Sequence, residues 1–169
     1  MSKIIYITGG ERSGKSSFAQ KKGLELSTHP IYLATARIWD SDFKKRVEHH
    51  QQDRDERWTT IEEEKYISSH DFTGKVVVLD CITLWLTNLF TDNKFVVDET
   101  IKQAVEEFEK LTKQECTFII VSNEIGMGVH ADTLSVRKFT EIQGRINQLI
   151  ASKATDVFLM ISGIPIKIK

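Results

Sequence analysis

The sequence predicts an α/β fold in which helices flank a mainly parallel sheet, and three observations point to it. Short apolar, β-branched runs recur along the chain at lengths that suit buried strands, beginning with residues 3–8. Longer segments separate them, with apolar residues every three or four positions, as in residues 98–113. The first run passes through a glycine-rich octapeptide straight into a helical pattern.

That octapeptide is Gly9, Gly10, Glu11, Arg12, Ser13, Gly14, Lys15 and Ser16. Gly9, four residues, then Gly14-Lys15-Ser16 is the Walker A spacing, set in strand–turn–helix context. The glycines let the backbone take positive φ and come close to a phosphate. Loop N–H groups and the helix N-terminus offer donors and partial positive charge to an anion. Lys15 is spaced to reach the β and γ phosphates, and the Ser16 hydroxyl to ligate Mg²⁺. A chance glycine-rich turn is the alternative, and the flanking context argues against it. Nucleotide binding is the expectation.

At 169 residues, 40% apolar and 28% charged, the chain suits one P-loop domain spanning 1–169. A net charge of −1 argues against general affinity for nucleic acid or an anionic membrane. No run has transmembrane length, and the chain enters a strand at once without a signal-peptide pattern. A cytoplasmic enzyme is the simplest expectation. Cys81 and Cys116 lack disulfide-framework and metal-ligand spacing, and their apolar neighbours suggest buried free thiols.

The first helix is expected to run from Lys15 to the breaker cluster Ser27-Thr28-His29-Pro30, with His29 a solvated turn residue. Residues 31–35 read as a second buried strand. Ala34, Thr35, Ala36 and Arg37 lie at its carboxyl end, where open α/β sheets bind ligands. Residues 40–55 are polar and helix-compatible, with Phe43 and Val47 spaced for one apolar contact. Arg46, His50 and Arg54 recur every four residues, so a helix would set two cations around an imidazole on one face. Spacing alone favours a plainer reading, a charged solvent-facing helix with incidental histidines. A metal site from His49, His50 and Asp53 is disfavoured, because adjacent helical residues face different ways.

Residues 58–62 read as a short strand and 65–69 as a short helix, with His70 at its end a surface or capping residue. Residues 75–80 form a third strong strand. It ends in Asp80, a Walker B pattern that places a carboxylate to orient Mg²⁺ directly or through water. That pattern is weak alone and gains from the loop upstream. Residues 81–90, with Leu84, Trp85, Leu86, Leu89 and Phe90, are dense enough to be buried and to extend into a subunit contact. A loop is expected at 91–94, then an amphipathic helix over 98–113. Residues 117–122 are a fourth strand running into a turn at Gly126 and Gly128. A long helix over 135–152 points Phe139, Ile142, Ile146, Leu149 and Ile150 inward. Residues 157–161 are the fifth strand; Gly163 and Pro165 break the chain, and 166–169 read as an edge strand.

On several of these runs the chain resembles the bifunctional adenosylcobinamide kinase / adenosylcobinamide-phosphate guanylyltransferase family of cobalamin biosynthesis. They are TGGERSGKS at 8–16, LATA at 33–36 and R-V-x-x-H-x-x-x-R-x-x-x-W from Arg46 to Trp58. TIE at 60–62, LDCITLWLTNL at 79–89, VSNEIGMG at 121–128, GRINQ at 144–148 and SGIPIKIK at 162–169 continue the likeness. The histidine run and the SNE-x-G-x-G run are more family-specific than the P-loop.

The resemblance implies a P-loop NTPase with a RecA-like core, assembled as a homotrimer. It implies that ATP or GTP phosphorylates the aminopropanol hydroxyl of adenosylcobinamide. GTP then transfers GMP to that phosphate through a GMP-histidine, releasing pyrophosphate and giving adenosylcobinamide-GDP. The histidine maps onto His50 rather than His49, with Lys15 the other catalytic residue. Nucleotide contacts map onto residues 9–16, Ala34, Thr35, Ala36, Gln51, Gln52, Asp53, Arg54, Glu62 and Asp80, and Mg²⁺ onto Ser16 and Asp80. The chain departs from the family pattern at Asp55, where Pro is common, at Asp40-Ser41-Asp42-Phe43, where D-D-E-M is common, and at Glu11, which replaces a small residue. None of these touches Lys15, Ser16, His50 or Asp80. Two rival readings remain: a nucleotide-binding regulatory protein without group transfer, and a small-molecule kinase without a guanylyl step. Only the bifunctional reading needs His50.

Overall fold

The computed structural model of the chain describes residues 2–38 and 54–169. The expected helix over 40–55 therefore lies almost wholly outside the described residues, and with it Arg46, His49, His50, Gln51, Gln52 and Asp53.

In chain order the elements are β1 (Lys3–Gly9), α1 (Lys15–Leu26), β2 (Ile31–Ala34), β3 (Thr59–Glu62), β4 (Val76–Asp80), α2 (Ile82–Asp92), α3 (Val97–Thr112), β5 (Thr117–Asn123), α4 (Leu134–Lys153), β6 (Asp156–Ile161) and β7 (Ile164–Lys167). Among the described residues the strands form one sheet of order β3-β2-β4-β5-β1-β6-β7. Every neighbouring pair is parallel except β6 and β7.

The inner strands read as unbroken apolar runs because helices cover both faces of a parallel sheet. Alternation along β1 sorts its side chains between two cores. Ile4 and Tyr6 join Leu79, Trp85, Phe108, Phe118 and Ile146 beneath α2, α3 and α4. Ile5 and Ile7 join Ala19, Val78 and Met160 on the side of α1.

Four expectations need correction. Residues 65–69 form turns rather than a helix: Glu63 Oε1 accepts the backbone N–H groups of Lys65 and Tyr66, both at 2.9 Å, and Ser68 Oγ donates to Glu107 at 2.8 Å. Residues 82–92 are helical, and α2 includes Thr91 and Asp92, where a loop was expected. Apolar residues crowd this helix on most sides, which obscures its period. Trp85, Leu86, Leu89 and Phe90 are consumed by the core, so they do not supply a subunit contact. Pro165 sits inside β7, opposite Met160; an edge strand tolerates proline because one side of it makes no ladder. Cys81 and Cys116 are buried free thiols, and His29 is exposed in its turn, both as expected.

Gly23 was not singled out in the sequence, yet it sets how close α1 lies to the sheet. A Cβ there would stand 2.8 Å from Trp58 Cη2 and 3.2 Å from Val78 Cγ2. Gly144, in α4, faces nothing within 4 Å. Gly23→Val is expected to destabilise the fold by about 2 kcal/mol through overpacking. Gly144→Ala should stabilise it by about 0.5–1 kcal/mol by restricting the unfolded chain. Urea titration of both variants checks the opposite signs.

Candidate functional site

The carboxyl ends of five adjacent strands make one rim. Register pairs Glu62 with Ala34, Ala34 with Asp80 and Gly9 with Asn123, and β5 stands between β4 and β1. Gly9, Ala34, Glu62 and Asp80, drawn from four separate stretches of sequence, thereby reach the same edge.

The loop from Gly9 to Ser16 is held from behind. Gly9 has φ +153°, and a Cβ on it would lie 2.5 Å from the Met160 carbonyl oxygen. Gly14 has φ +91°, and its Cβ would meet Gly163 Cα at 3.1 Å. The Gly163 N–H donates to the Ser13 carbonyl at 3.0 Å, so the β6–β7 turn braces the loop. The Glu124 N–H donates to the Gly9 carbonyl at 3.0 Å from the β5 side. Gly14 is the N-cap of α1; no side chain caps this end, and its first turn has no acidic residue. Its first N–H groups therefore remain suited to an anion.

Lys15 is buried beneath the loop, and its ammonium donates to the Gly10 carbonyl and, at 3.4 Å, to Ser13 Oγ. Burial lowers its pKa, while the negative charges of Asp80 and Glu11 act the other way. Ser16 is half-buried in the first turn of α1; Gly10, Glu11 and Arg12 are exposed at the loop's outer curve, with Arg12 at φ 55°.

Asp80 is half-buried at the end of β4, and its Oδ2 accepts the Tyr32 hydroxyl at 2.7 Å. The Arg54 guanidinium lies over the Tyr32 ring, 3.9 Å from its centroid, and Trp58 meets that ring edge-on at 6.0 Å. Arg54 is the described member of the Arg46, His50, Arg54 series.

Thr35 is fully buried and stitches β2 to the β4–α2 junction. Its hydroxyl donates to the Cys81 carbonyl at 2.7 Å and accepts the Cys81 N–H at 2.9 Å. Asn88 Nδ2 donates to the Thr35 carbonyl at 2.8 Å. Ala34 and Ala36 are half-buried at the rim, and Glu62 is exposed at its far end. Arg37 leaves the rim for Glu64 at 2.6 Å and for both oxygens of Asp92 at 3.0 and 3.1 Å. With Lys65 also 2.6 Å from Asp92, these cations hold its carboxyl well below the usual range. Burial pushes the Cys81 thiol up to about 12, which keeps it inert beside Asp80.

Tyr32, the β6–β7 brace and a buried amide cluster were missed by sequence reasoning. In that cluster Ser122 Oγ lies 2.7 Å from Asn147 Oδ1, Gln143 Nε2 donates to Ser122 Oγ at 2.8 Å, and Asn147 Nδ2 donates to the Asn123 carbonyl at 3.1 Å. Its signal was present: two amides four residues apart, each directly following an inward isoleucine of α4.

A phosphate-cradling loop, its lysine and a carboxylate two strands away, on a parallel sheet, define a P-loop NTPase of the RecA-like α/β class. The sequence model for cobinamide kinase / cobinamide phosphate guanyltransferase matches residues 5–168. The bifunctional adenosylcobalamin biosynthesis protein CobU of Escherichia coli K12 is 36% identical over 181 residues, covering 98% of this chain and 99% of its own. The Pseudomonas aeruginosa protein of the same description, CobP, is 32% identical over 168 residues, covering 96% and 95%. Among solved structures, the Pyrococcus horikoshii OT3 protein PH0250 shares the fold, with a TM-score of 0.52 at 11% identity, covering 99% of this chain and 86% of its own. The chain belongs to the cobinamide kinase / cobinamide phosphate guanyltransferase family. It is thus a bifunctional enzyme of adenosylcobalamin biosynthesis, with a corrinoid and nucleoside triphosphates as substrates. No helix among the described residues is long and apolar enough to cross a membrane.

Proposed function

We propose that both transfers take place along the rim formed by the carboxyl ends of β1 to β5. In the first, the aminopropanol hydroxyl of adenosylcobinamide attacks the γ phosphorus of ATP or GTP in line. The loop N–H groups and Lys15 hold the phosphates. Mg²⁺ fits the donors available: it takes one or two protein oxygens and leaves the rest to phosphate and water. Ser16 and Asp80 are those oxygens, and the ion would draw charge from the transferring group. In the second transfer, His50 attacks the α phosphorus of GTP and pyrophosphate leaves. The phosphate of adenosylcobinamide phosphate then displaces the imidazole, giving adenosylcobinamide-GDP. A histidine that is neutral near pH 7 suits this role, and covalent catalysis divides one difficult transfer into two. Arg46 and Arg54 offset the charge that develops. Nucleotide contacts come from residues 9–16, Ala34, Thr35, Ala36, 51–54, Glu62 and Asp80; Thr35, with its hydroxyl engaged with Cys81, its N–H with the Asp80 carbonyl and its carbonyl with Asn88, contributes by fixing the backbone of Ala34 and Ala36 at the rim.

The observation that carries this reading is the placement of Arg54. Its guanidinium rests on Tyr32, which is hydrogen-bonded to Asp80, so the last member of the Arg46, His50, Arg54 series stands beside the Walker B carboxylate. Incubation with GTP labelled at the α phosphorus tests it. Label that survives base and is lost in acid supports a phosphorus–imidazole bond, and absence of label under turnover conditions refutes it.

The chain is read as one P-loop domain over 1–169, because strands from Lys3 to Lys167 enter one sheet. Nucleoside triphosphate substrates suit a cytoplasmic setting. For the homotrimer, support comes from Ile125, Met127, Val129, Leu134 and Val136, all exposed around the β5–α4 connection. Sedimentation should give a species of three 19.4 kDa chains, and Val129→Asp should dissociate it. A wild-type monomer at micromolar concentration refutes the assembly.

A further inference from the structure

We propose that Tyr32 is a positioning residue with two separable jobs: its hydroxyl orients the Asp80 carboxylate toward the metal, and its ring seats Arg54 for a nucleotide phosphate. The proposal rests on the reading of Asp80 as the metal-orienting carboxylate.

Register explains why a tyrosine suits this position. β2 and β4 run parallel, with Tyr32 opposite Val78 and Ala34 opposite Asp80. Tyr32 and Asp80 are therefore on neighbouring strands, offset by two residues, on the same face of the sheet. A phenol is long enough to cross that offset along the strand, and the Tyr32 hydroxyl reaches Asp80 Oδ2 at 2.7 Å. A phenylalanine would fill the same space and leave the carboxylate free to rotate. Tyr32 is 4% exposed, so its hydroxyl has little access to water as a competing partner.

A hydroxyl bonded to one carboxylate oxygen fixes the plane of the group and directs the remaining lone pairs. Partners of this kind, one shell out from a metal, typically govern its affinity. The ring's second face is also in use. Arg54 lies 3.9 Å from its centroid, within cation–π range, and Trp58 closes the edge. One side chain thus separates an anion assigned to the metal from a cation assigned to phosphate, and holds both at fixed positions.

The test uses a ribose-labelled fluorescent GTP analogue, bound in EDTA and then across a Mg²⁺ titration. Tyr32→Phe keeps the ring and loses the donor. It is expected to raise the Mg²⁺ midpoint about 10-fold while metal-free affinity is unchanged. Tyr32→Leu removes the ring as well and should also weaken metal-free binding about 5-fold. Asp80→Asn is run alongside. If Asp80→Asn leaves the midpoint unmoved, the underlying reading of Asp80 fails. If Asp80→Asn moves it and Tyr32→Phe does not, the positioning role of the hydroxyl is overturned. If Tyr32→Leu matches Tyr32→Phe in EDTA, the seat for Arg54 is overturned. Should Tyr32→Leu not fold, Arg54→Met on the intact ring takes its place. It should lower metal-free affinity and hold the midpoint, and unchanged affinity overturns the seat.

Discussion

Lys15→Ala is expected to lower GTP affinity about 100-fold, corresponding to the loss of roughly 3 kcal/mol of charge-assisted hydrogen bonding to phosphate. Both transfers should fall with it, because both draw on a nucleotide held by the same loop. Folding should not suffer. The ammonium is buried against the Gly10 carbonyl and Ser13 Oγ, and burial already disfavours its charge. Removing it relieves that burden, so thermal unfolding without nucleotide should be unchanged or slightly raised. The nucleotide-induced rise in melting temperature should vanish. Isothermal titration with GTP measures the first effect and calorimetry the second. Wild-type GTP affinity in the variant would remove Lys15 from the site.

His50→Ala is expected to abolish labelling by α-labelled GTP and to cut guanylyl transfer by about 10³-fold or more, as removal of a covalent nucleophile does. Phosphorylation of adenosylcobinamide should persist, since it needs only in-line attack on the γ phosphorus. His49→Ala should retain labelling and both activities. That split separates the bifunctional enzyme from a plain kinase, and the pair of variants separates the two adjacent histidines. Labelling that persists in His50→Ala and disappears in His49→Ala would move the nucleophile by one residue. Loss of both activities in His50→Ala would point to a folding role instead.

What could be read from sequence was local. The loop of residues 9–16 lies within one turn of chain between a strand and a helix, and its chemistry depends on that neighbourhood alone. Strands buried on both faces leave continuous apolar runs, so β1, β4 and β5 were evident, and so was the rim their ends create. Contacts made at long range left no such trace. Tyr32 meets Asp80 across 48 positions, and Thr35 meets Cys81 across 46. Neither distance follows from composition or period. Helix α2 was obscured for the opposite reason, since apolar residues on nearly every side erase the contrast that marks a helical face. Gly23 carried no mark of its own in the sequence, and only the approach of Trp58 gives it a purpose.

The brace behind the nucleotide loop bears on the order of events during synthesis. Strand β1 is the first described strand to leave the ribosome, yet its partners in the sheet are β5 and β6, made much later. The carbonyl of Met160, in β6, and the turn at Gly163 that follows it close against Gly9 and Gly14. A nascent chain therefore carries its phosphate-binding residues for most of translation without the walls that shape them. Such long-range pairing is slow to form and leaves apolar strands uncovered meanwhile, the condition in which chaperones are most needed. Nucleotide can therefore stabilise the finished fold but gives no early foothold, and the site matures as one of the last acts of folding.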